Sequence, residues 1–225
     1  MNQDAFRHFL EETFHRHGLP LTHNQQEQFV TYWRELQRWN SRINLTSIRD
    51  DRDTVLKHFL DSVGILKFFS IEAGDSVVDI GSGAGFPGLP LKICAPDIKL
   101  TLVESSSKKA SFIQFLVSQL NVTSTGNDVS IAAQRAEAFA KQSENLAAYD
   151  WVLTRYVASL ADSAGYCLPL LKCNGTWIAY KPREVEAEIR EAGSRLQSFG
   201  GEVERVVDSG ISELNRAFVS IRGGS

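Results

Sequence analysis

The sequence predicts an α/β protein: a seven-stranded, mostly parallel sheet whose last strand runs against the others, preceded by an N-terminal helical cap. Three observations predict it. Residues Met1 to about Ser70 carry helical periodicity and almost no strand character, whereas from Asp75 onward short apolar runs alternate with helical segments. The final two runs, Val203 to Val207 and Arg216 to Ile221, are joined too briefly for anything but antiparallel pairing. The chain is divided accordingly into a cap, 1–70, and an α/β domain, 71–225.

In the cap, Phe6, Phe9, Leu10 and Phe14 share one helical face. Phe29, Trp33, Leu36 and Trp39 do so again after the Gly18-Leu19-Pro20 break. A third helix is expected from Asp53 to Phe68, and the aromatic stripes read as core rather than as a base-stacking platform. Between the second and third helices, 39–47 is a polar turn that bonds its own backbone, followed by Arg49, Arg52, Lys57 and His58, which beside a cleft would meet phosphates.

The α/β part opens with Val77-Val78-Asp79-Ile80 running into Gly81-Ser82-Gly83-Ala84-Gly85-Phe86-Pro87-Gly88: strand, tight turn, helix. Glycines at Gly81, Gly83 and Gly85 bare the main chain to a polar ligand. A dinucleotide turn wants a third glycine where this chain has Phe86, so a nicotinamide dehydrogenase is disfavoured. The second strand closes on Glu104, about 20 residues on, where a carboxylate can accept both ribose hydroxyls. Ser105 to Ser107 are expected to cap a helix over Lys108 to Leu120, with a small-residue loop over Asn121 to Asp128 and a third strand over Val129 to Ala132. That strand delivers Ala136 and Glu137 to the edge that carries the glycines. The fourth strand, Tyr149 to Thr154, ends at Arg155, placing a guanidinium at the carboxyl edge where such sheets bind ligands. A helix over Leu160 to Leu171, a strand over Gly175 to Tyr180 leading to Lys181, and an exposed helix over Glu184 to Phe199 complete the series.

Composition narrows the function. A 225-residue chain buries one substantial core, and a net charge of −3 is not that of a protein gripping bare nucleic acid nonspecifically. No apolar run approaches the roughly 20 residues that span a bilayer, and the N-terminus has no signal-peptide layout, so a cytoplasmic location is expected. Cys94, Cys167 and Cys173 form no C-x-x-C pair and read as small buried thiols; no metal site is expected.

The acid-preceded G-x-G-x-G turn resembles the first motif of the class I S-adenosylmethionine-dependent methyltransferases, whose Rossmann-like sheet of seven strands matches the count and the reversed last strand. Joined in order to Trp39-Asn40, Asn44-Leu45-Thr46-Ser47, His58-Phe59-Leu60-Asp61-Ser62, Ala136-Glu137, Arg155 with Ala158-Ser159-Leu160, and Tyr180-Lys181, it is similar to the bacterial small-subunit (16S) ribosomal RNA guanine-N7 methyltransferases, once called glucose-inhibited division protein B. Departures are Tyr156 and Pro182, where that family usually has Ala and Gly. The resemblance implies S-adenosyl-L-methionine as cofactor, contacted by Gly81, Phe86, Ala136, Glu137 and Arg155, with the backbone of Ala136 and Glu137 reading the adenine amino group, and 16S ribosomal RNA as partner, within the small subunit or a precursor. Guanine N7 has an exposed lone pair, so no catalytic base is expected. Arg155 would fix the cofactor, and Lys181 with the basic residues of the cap would seat RNA phosphates. A small-molecule methyltransferase of the same fold, and a cofactor-binding assembly factor without catalysis, share the turn and stand as rivals.

Overall fold

A computed structural model describes residues 1–122 and 128–223. Most of the loop expected over Asn121 to Asp128 therefore lies outside the described residues.

The strands are β1 Ser76–Ile80, β2 Lys99–Val103, β3 Val129–Ala132, β4 Tyr149–Arg155, β5 Leu171–Lys181, β6 Gly201–Asp208 and β7 Ala217–Gly223. They form one sheet in the order β3-β2-β1-β4-β5-β7-β6. The first five pair in parallel, and β7 runs antiparallel to both β5 and β6, between which it is inserted. The chain steps outward from β1 to β3 and then returns to β4 on the other side of β1. Ile80 is in register with Thr154, so Gly81 and Arg155 leave neighbouring strands at the same edge, the switch point at which open α/β sheets bind ligands.

Alternate strand residues face opposite sides, as the period of two requires. Val77, Leu100, Leu153 and Ile178 pack with the N-terminal helices, and their neighbours Val78, Val152 and Ala179 pack with Leu160, Ala164 and Leu196 on the other face. The N-terminal helices are α1 Gln3–Arg16, α2 His23–Asn40 and a continuous helical stretch, α3, over 51–67. Thr22 and Gln25 close a capping box at the start of α2, which ends two orphaned amides reciprocally. The aromatic stripe is core as expected: Phe6, Phe14, Phe29 and Phe59 are fully buried, with Trp33 stacked on Phe6 at 4.2 Å. The third helix starts earlier than its periodicity suggests and is not uniform. Thr54–Leu60 is wound as a π-helix and Gly64–Lys67 as a 3-10 turn.

The remaining helices are α4 Gly88–Cys94, α5 Ser107–Leu120, α6 Ala136–Phe139, α7 Leu160–Cys167 and α8 Glu186–Ser198. The serines before α5 make no side-chain cap; Glu104 instead accepts the Ser106 amide at 2.7 Å. Helix α7 stops before Leu171 because Pro169 has no amide hydrogen to continue it, and a 3-10 turn follows. Strand β5 begins earlier than expected, with an irregularity opposite Tyr149 and Trp151. That irregularity corrects one expectation: Cys173 lies within it and is exposed, whereas Cys167 is buried and Cys94 half-buried. No helix among the described residues is long and apolar enough to cross a membrane.

Candidate functional site

The first wall of the site is the glycine turn, and two carboxylates hold it. Asp79 is fully buried; its Oδ2 accepts the Gly88 amide at 2.9 Å, and its Oδ1 has no partner. Burial outweighs that hydrogen bond and the field of Arg155, and lifts the Asp79 carboxyl to about 7. Glu104 reaches across from the end of β2, with Oε2 accepting the Gly83 amide at 2.8 Å. Each Glu104 oxygen thus already holds one amide, which makes the residue an anchor of the turn and leaves it one further lone pair per oxygen for a ribose.

The glycines do different work. Gly83 has φ +61°, and a Cβ there would meet nothing nearer than the Gly81 carbonyl at 3.9 Å, so its main chain is bare toward the cleft. Gly85 faces the other way. With φ +96°, its Cβ would lie 2.7 Å from both Leu89 Cδ1 and Tyr32 Oη, so the missing side chain lets the turn pack on α2 and α4. Tyr32 completes that contact by donating to the Ala84 carbonyl at 2.7 Å.

The second wall is built from side chains. Phe86 is 5% exposed and sandwiched between Tyr32, at 5.1 Å and 6°, and His58, at 4.3 Å and 8°. Both ring faces are therefore covered, and Phe86 supports the cleft by its edge. Arg155 lies over that ring at 5.2 Å and is buried. It donates to Asp61 Oδ2 at 2.9 Å and to the Lys57 carbonyl of the π-helical turn at 3.1 Å. Arg216, entering from the start of β7, binds the same carboxylate at 2.7 and 3.0 Å and donates to the Tyr156 hydroxyl at 2.7 Å. Burial works against the charge on Arg216, and Asp61 with the Tyr156 hydroxyl more than offsets it, so the guanidinium is held charged. Tyr156, the departure after Arg155, also lies against both guanidinium groups, at 5.7 and 4.9 Å. Two guanidinium groups share one carboxylate, which leaves the buried cluster cationic.

His58 was expected among the cations of the cap. It is buried, and burial followed by the field of Arg155 pushes it down to about 3, so at neutral pH it is uncharged. Lys57 pairs with Asp53 at 2.8 Å, and Arg52 sits over the Phe9 ring.

Two hollows meet at Gly81. One, about 130 Å³, is lined by Gly81, Ser105, Gln134, Arg135, Ala136 and Glu137. The other, about 200 Å³, is lined by Gly81, Gly83, Phe86 and Arg155 from the sheet side and by Leu45, Thr46 and His58 from the cap, together with Lys109 and Tyr156. Val157 lines the first, its Cγ2 lying 2.7 Å from where a Cβ on Gly81 would be. Ala136 and Glu137 form the first turn of α6, where amides lack intrahelical acceptors, and the Ala136 carbonyl is taken by the Ala140 amide. That turn therefore offers donors, suited to a ring nitrogen of adenine rather than to its amino group. Lys181 stands apart from both hollows, bonded to Glu188 at 2.6 Å and to the Ala158 carbonyl at 2.8 Å. It braces the segment after β4 and holds no free charge toward the cleft.

Asp61 and Thr46 fall within motifs that carry the resemblance but are given no role by the sequence, and Arg216 marks only the start of a strand there. A carboxylate on the apolar face of a helix was the available signal for Asp61; nothing local marked Arg216 as its partner. The Asn40 side chain shapes the segment that carries Thr46, its Oδ1 accepting the Leu45 and Thr46 amides and its Nδ2 donating to the Thr46 carbonyl. The set fits S-adenosylmethionine: bare main chain at Gly83, a ribose-competent carboxylate at Glu104 and a cationic cluster for a carboxylate.

Comparison with known proteins agrees. The family model for rRNA small subunit methyltransferase G matches residues 25–217. A ribosomal RNA small subunit methyltransferase G of Bacillus cereus is 38% identical over 206 residues, 92% of this chain and 83% of that protein. One from Roseiflexus is 42% identical over 191 residues, covering 85% and 78%. Among solved structures, M. jannaschii TYW2 in complex with AdoMet matches with a TM-score of 0.56 at 13% identity, over 78% of this chain and 77% of that one, a likeness of fold.

Proposed function

We propose, for a chain that belongs to the rRNA small subunit methyltransferase G family, that it transfers a methyl group from S-adenosylmethionine to N7 of a guanine in 16S ribosomal RNA. The substrate is the small subunit or a precursor of it, and the location is the cytoplasm where that subunit is made. The observation that carries the reading is the meeting of two hollows at Gly81, one floored by backbone donors and the other by a buried cationic cluster.

When bound, S-adenosylmethionine supplies a methyl group on a positively charged sulfur. The protein's part is placement. Gly83 and Glu104 position the sugar end, Ala136 and Glu137 the adenine, and Arg155, fixed by Asp61, the carboxylate of the amino-acid end. The cap side of the second hollow, Leu45, Thr46 and His58, is left to receive the base. Transfer of that methyl to N7 would need no proton to move, because N7 carries a free lone pair, so the residues lining the hollow have only to bring the base and the methyl group into line. Consistent with that, the lone pair of His58 is turned toward Arg155 and is unavailable as a base. The rate gain is one of proximity and alignment.

The test incubates the enzyme and labelled cofactor with small ribosomal subunits from cells lacking it, and in parallel with a metabolite extract. Label in 16S RNA, mapped by mass to a guanine carrying a methyl at N7, is the expected result. Label in the extract alone would make the chain a small-molecule methyltransferase, and cofactor binding without transfer to either would make it a binding factor.

A further inference from the structure

We infer that Thr46 reads the target base as guanine, by donating its hydroxyl hydrogen to the carbonyl oxygen beside N7. The inference rests on the guanine methylation proposed above and names the residue that selects the base.

The argument is an accounting of donors. Arg155 Nη2 lies 3.5 Å from His58 Nδ1, and a guanidinium nitrogen has only hydrogens to offer, so Nδ1 is the ring nitrogen without one. The other nitrogen, Nε2, then carries the hydrogen and donates it to Thr46 Oγ1 at 2.8 Å. The Ile48 amide, also a donor only, reaches the same oxygen at 3.1 Å. A hydroxyl oxygen has two lone pairs, and both are now occupied. What Thr46 has left is its hydrogen, which finds no acceptor among the described residues while the side chain lines the second hollow.

Thr46 can therefore donate into that hollow and cannot accept there. On the edge that exposes N7, guanine places a carbonyl oxygen next to it, and adenine places an amino group. The first meets the Thr46 hydrogen; the second would press donor against donor. Geometry favours the base over the carboxylate of the cofactor as the partner. Thr46 is carried by the segment before α3, whereas the groups suited to the cofactor come from strand ends and from the Asp61 cluster. The hydroxyl is also fixed before any ligand arrives, because Asn40 bonds the main chain of residues 45 and 46, and His58 is stacked on Phe86.

The experiment uses the full chain and small subunits reconstituted with RNA in which the mapped guanine is retained, replaced by inosine, or replaced by 2-aminopurine. Inosine keeps both N7 and the carbonyl; 2-aminopurine keeps N7 and has hydrogen in place of the carbonyl. Wild type should methylate inosine as fast as guanine and 2-aminopurine roughly five- to tenfold more slowly, the loss of one hydrogen bond. Thr46→Val should slow by the same factor on guanine and inosine and match wild type on 2-aminopurine, and Thr46→Ser should restore the wild-type pattern. Titration calorimetry should give all three proteins the same affinity for S-adenosylmethionine. A Thr46→Val protein that still prefers the carbonyl, or one that loses cofactor affinity by the same factor, overturns the inference. The second result would give the hydrogen to the cofactor instead. Mapping the wild-type product separates the two levels: a methyl elsewhere than guanine N7 defeats the proposed reaction itself, whereas the right product with an unchanged Thr46→Val preference defeats only the role of Thr46.

Discussion

The two walls of the cleft are built from different materials and held by contacts of different reach. The glycine turn is main chain, pinned by carboxylates 9 and 21 residues away along the sequence. The facing wall is side chain, pinned by guanidinium groups 94 and 155 residues from the carboxylate that orders them. The first wall is held from β1 and β2, with Tyr32 of α2 bonding the turn between them. The second exists only when α3, β4 and the start of β7 are all in place, so it doubles as a check that the N-terminal and C-terminal ends of the chain have docked correctly.

The sharpest way to break this contrast is to compare two residues of the second wall. Asp61→Ala leaves two buried guanidinium groups without a counter-charge and should cost about 3–5 kcal/mol in urea denaturation. Arg155→Ala leaves Asp61 bonded to Arg216 at two positions, so unfolding should stay cooperative and the stability loss should be clearly smaller, while methyl transfer is abolished. Equal stability losses would mean that Arg155 is structural and that the cationic floor does not serve the ligand.

A second buried acid, Asp79, gives the opposite behaviour. Asp61 is doubly compensated, whereas Asp79 has one amide and an orphaned oxygen. Its carboxyl, lifted mainly by burial to about 7 from 3.8, binds a proton more readily folded than unfolded. Its favourable contribution is therefore complete below about pH 4 and lost as pH rises through 7. Asp79→Asn keeps an acceptor for the Gly88 amide and removes the charge. It should match wild type near pH 4 and exceed it at pH 8 by on the order of a few kcal/mol. Parallel pH slopes for the two proteins would show that Asp79 is already ionised without penalty.

Within the glycine turn, two substitutions separate ligand from core. Gly85→Ala combines a positive φ with contacts at 2.7 Å to Leu89 and Tyr32, and should cost about 2–4 kcal/mol. Gly83→Ala meets open space and should cost about 1–2 kcal/mol from φ alone, with its larger effect on cofactor affinity read by calorimetry.

The same contrast explains what could be read from the chain. Period-two and period-3.6 patterns located every strand and the long helices, because each depends on neighbours within a few residues. The turn and Glu104 were legible for that reason. The roles of Asp61 and Arg216 were not, since a buried ion pair between residues 155 apart leaves no local trace. Arg155 was located at the correct strand end, but its partner was invisible. The G-x-G-x-G spacing records where the chain must bend, and only tertiary packing shows that a side chain on Gly85 would strike Leu89 and Tyr32. Lys181 looked like a phosphate cation because its acceptors, Glu188 and the Ala158 carbonyl, lie on elements that periodicity cannot orient.

The smallest predicted effect tests whether the two walls touch through Tyr32. Its hydroxyl bonds the Ala84 carbonyl of the turn, and its ring stacks on Phe86 of the facing wall. Tyr32→Phe keeps the stack, strands one buried carbonyl and should cost about 0.5–1.5 kcal/mol. The informative quantity is its coupling to Gly85→Ala. The hydroxyl oxygen is one of the two atoms a Cβ on residue 85 would strike, so removing it makes room, and the double variant should be more stable than the sum of the single losses by about 0.5–1 kcal/mol. Leu89 remains in the way, which keeps the rescue partial. Strict additivity in denaturation would mean that α2 does not press on the turn in solution, and that the first wall stands without the cap.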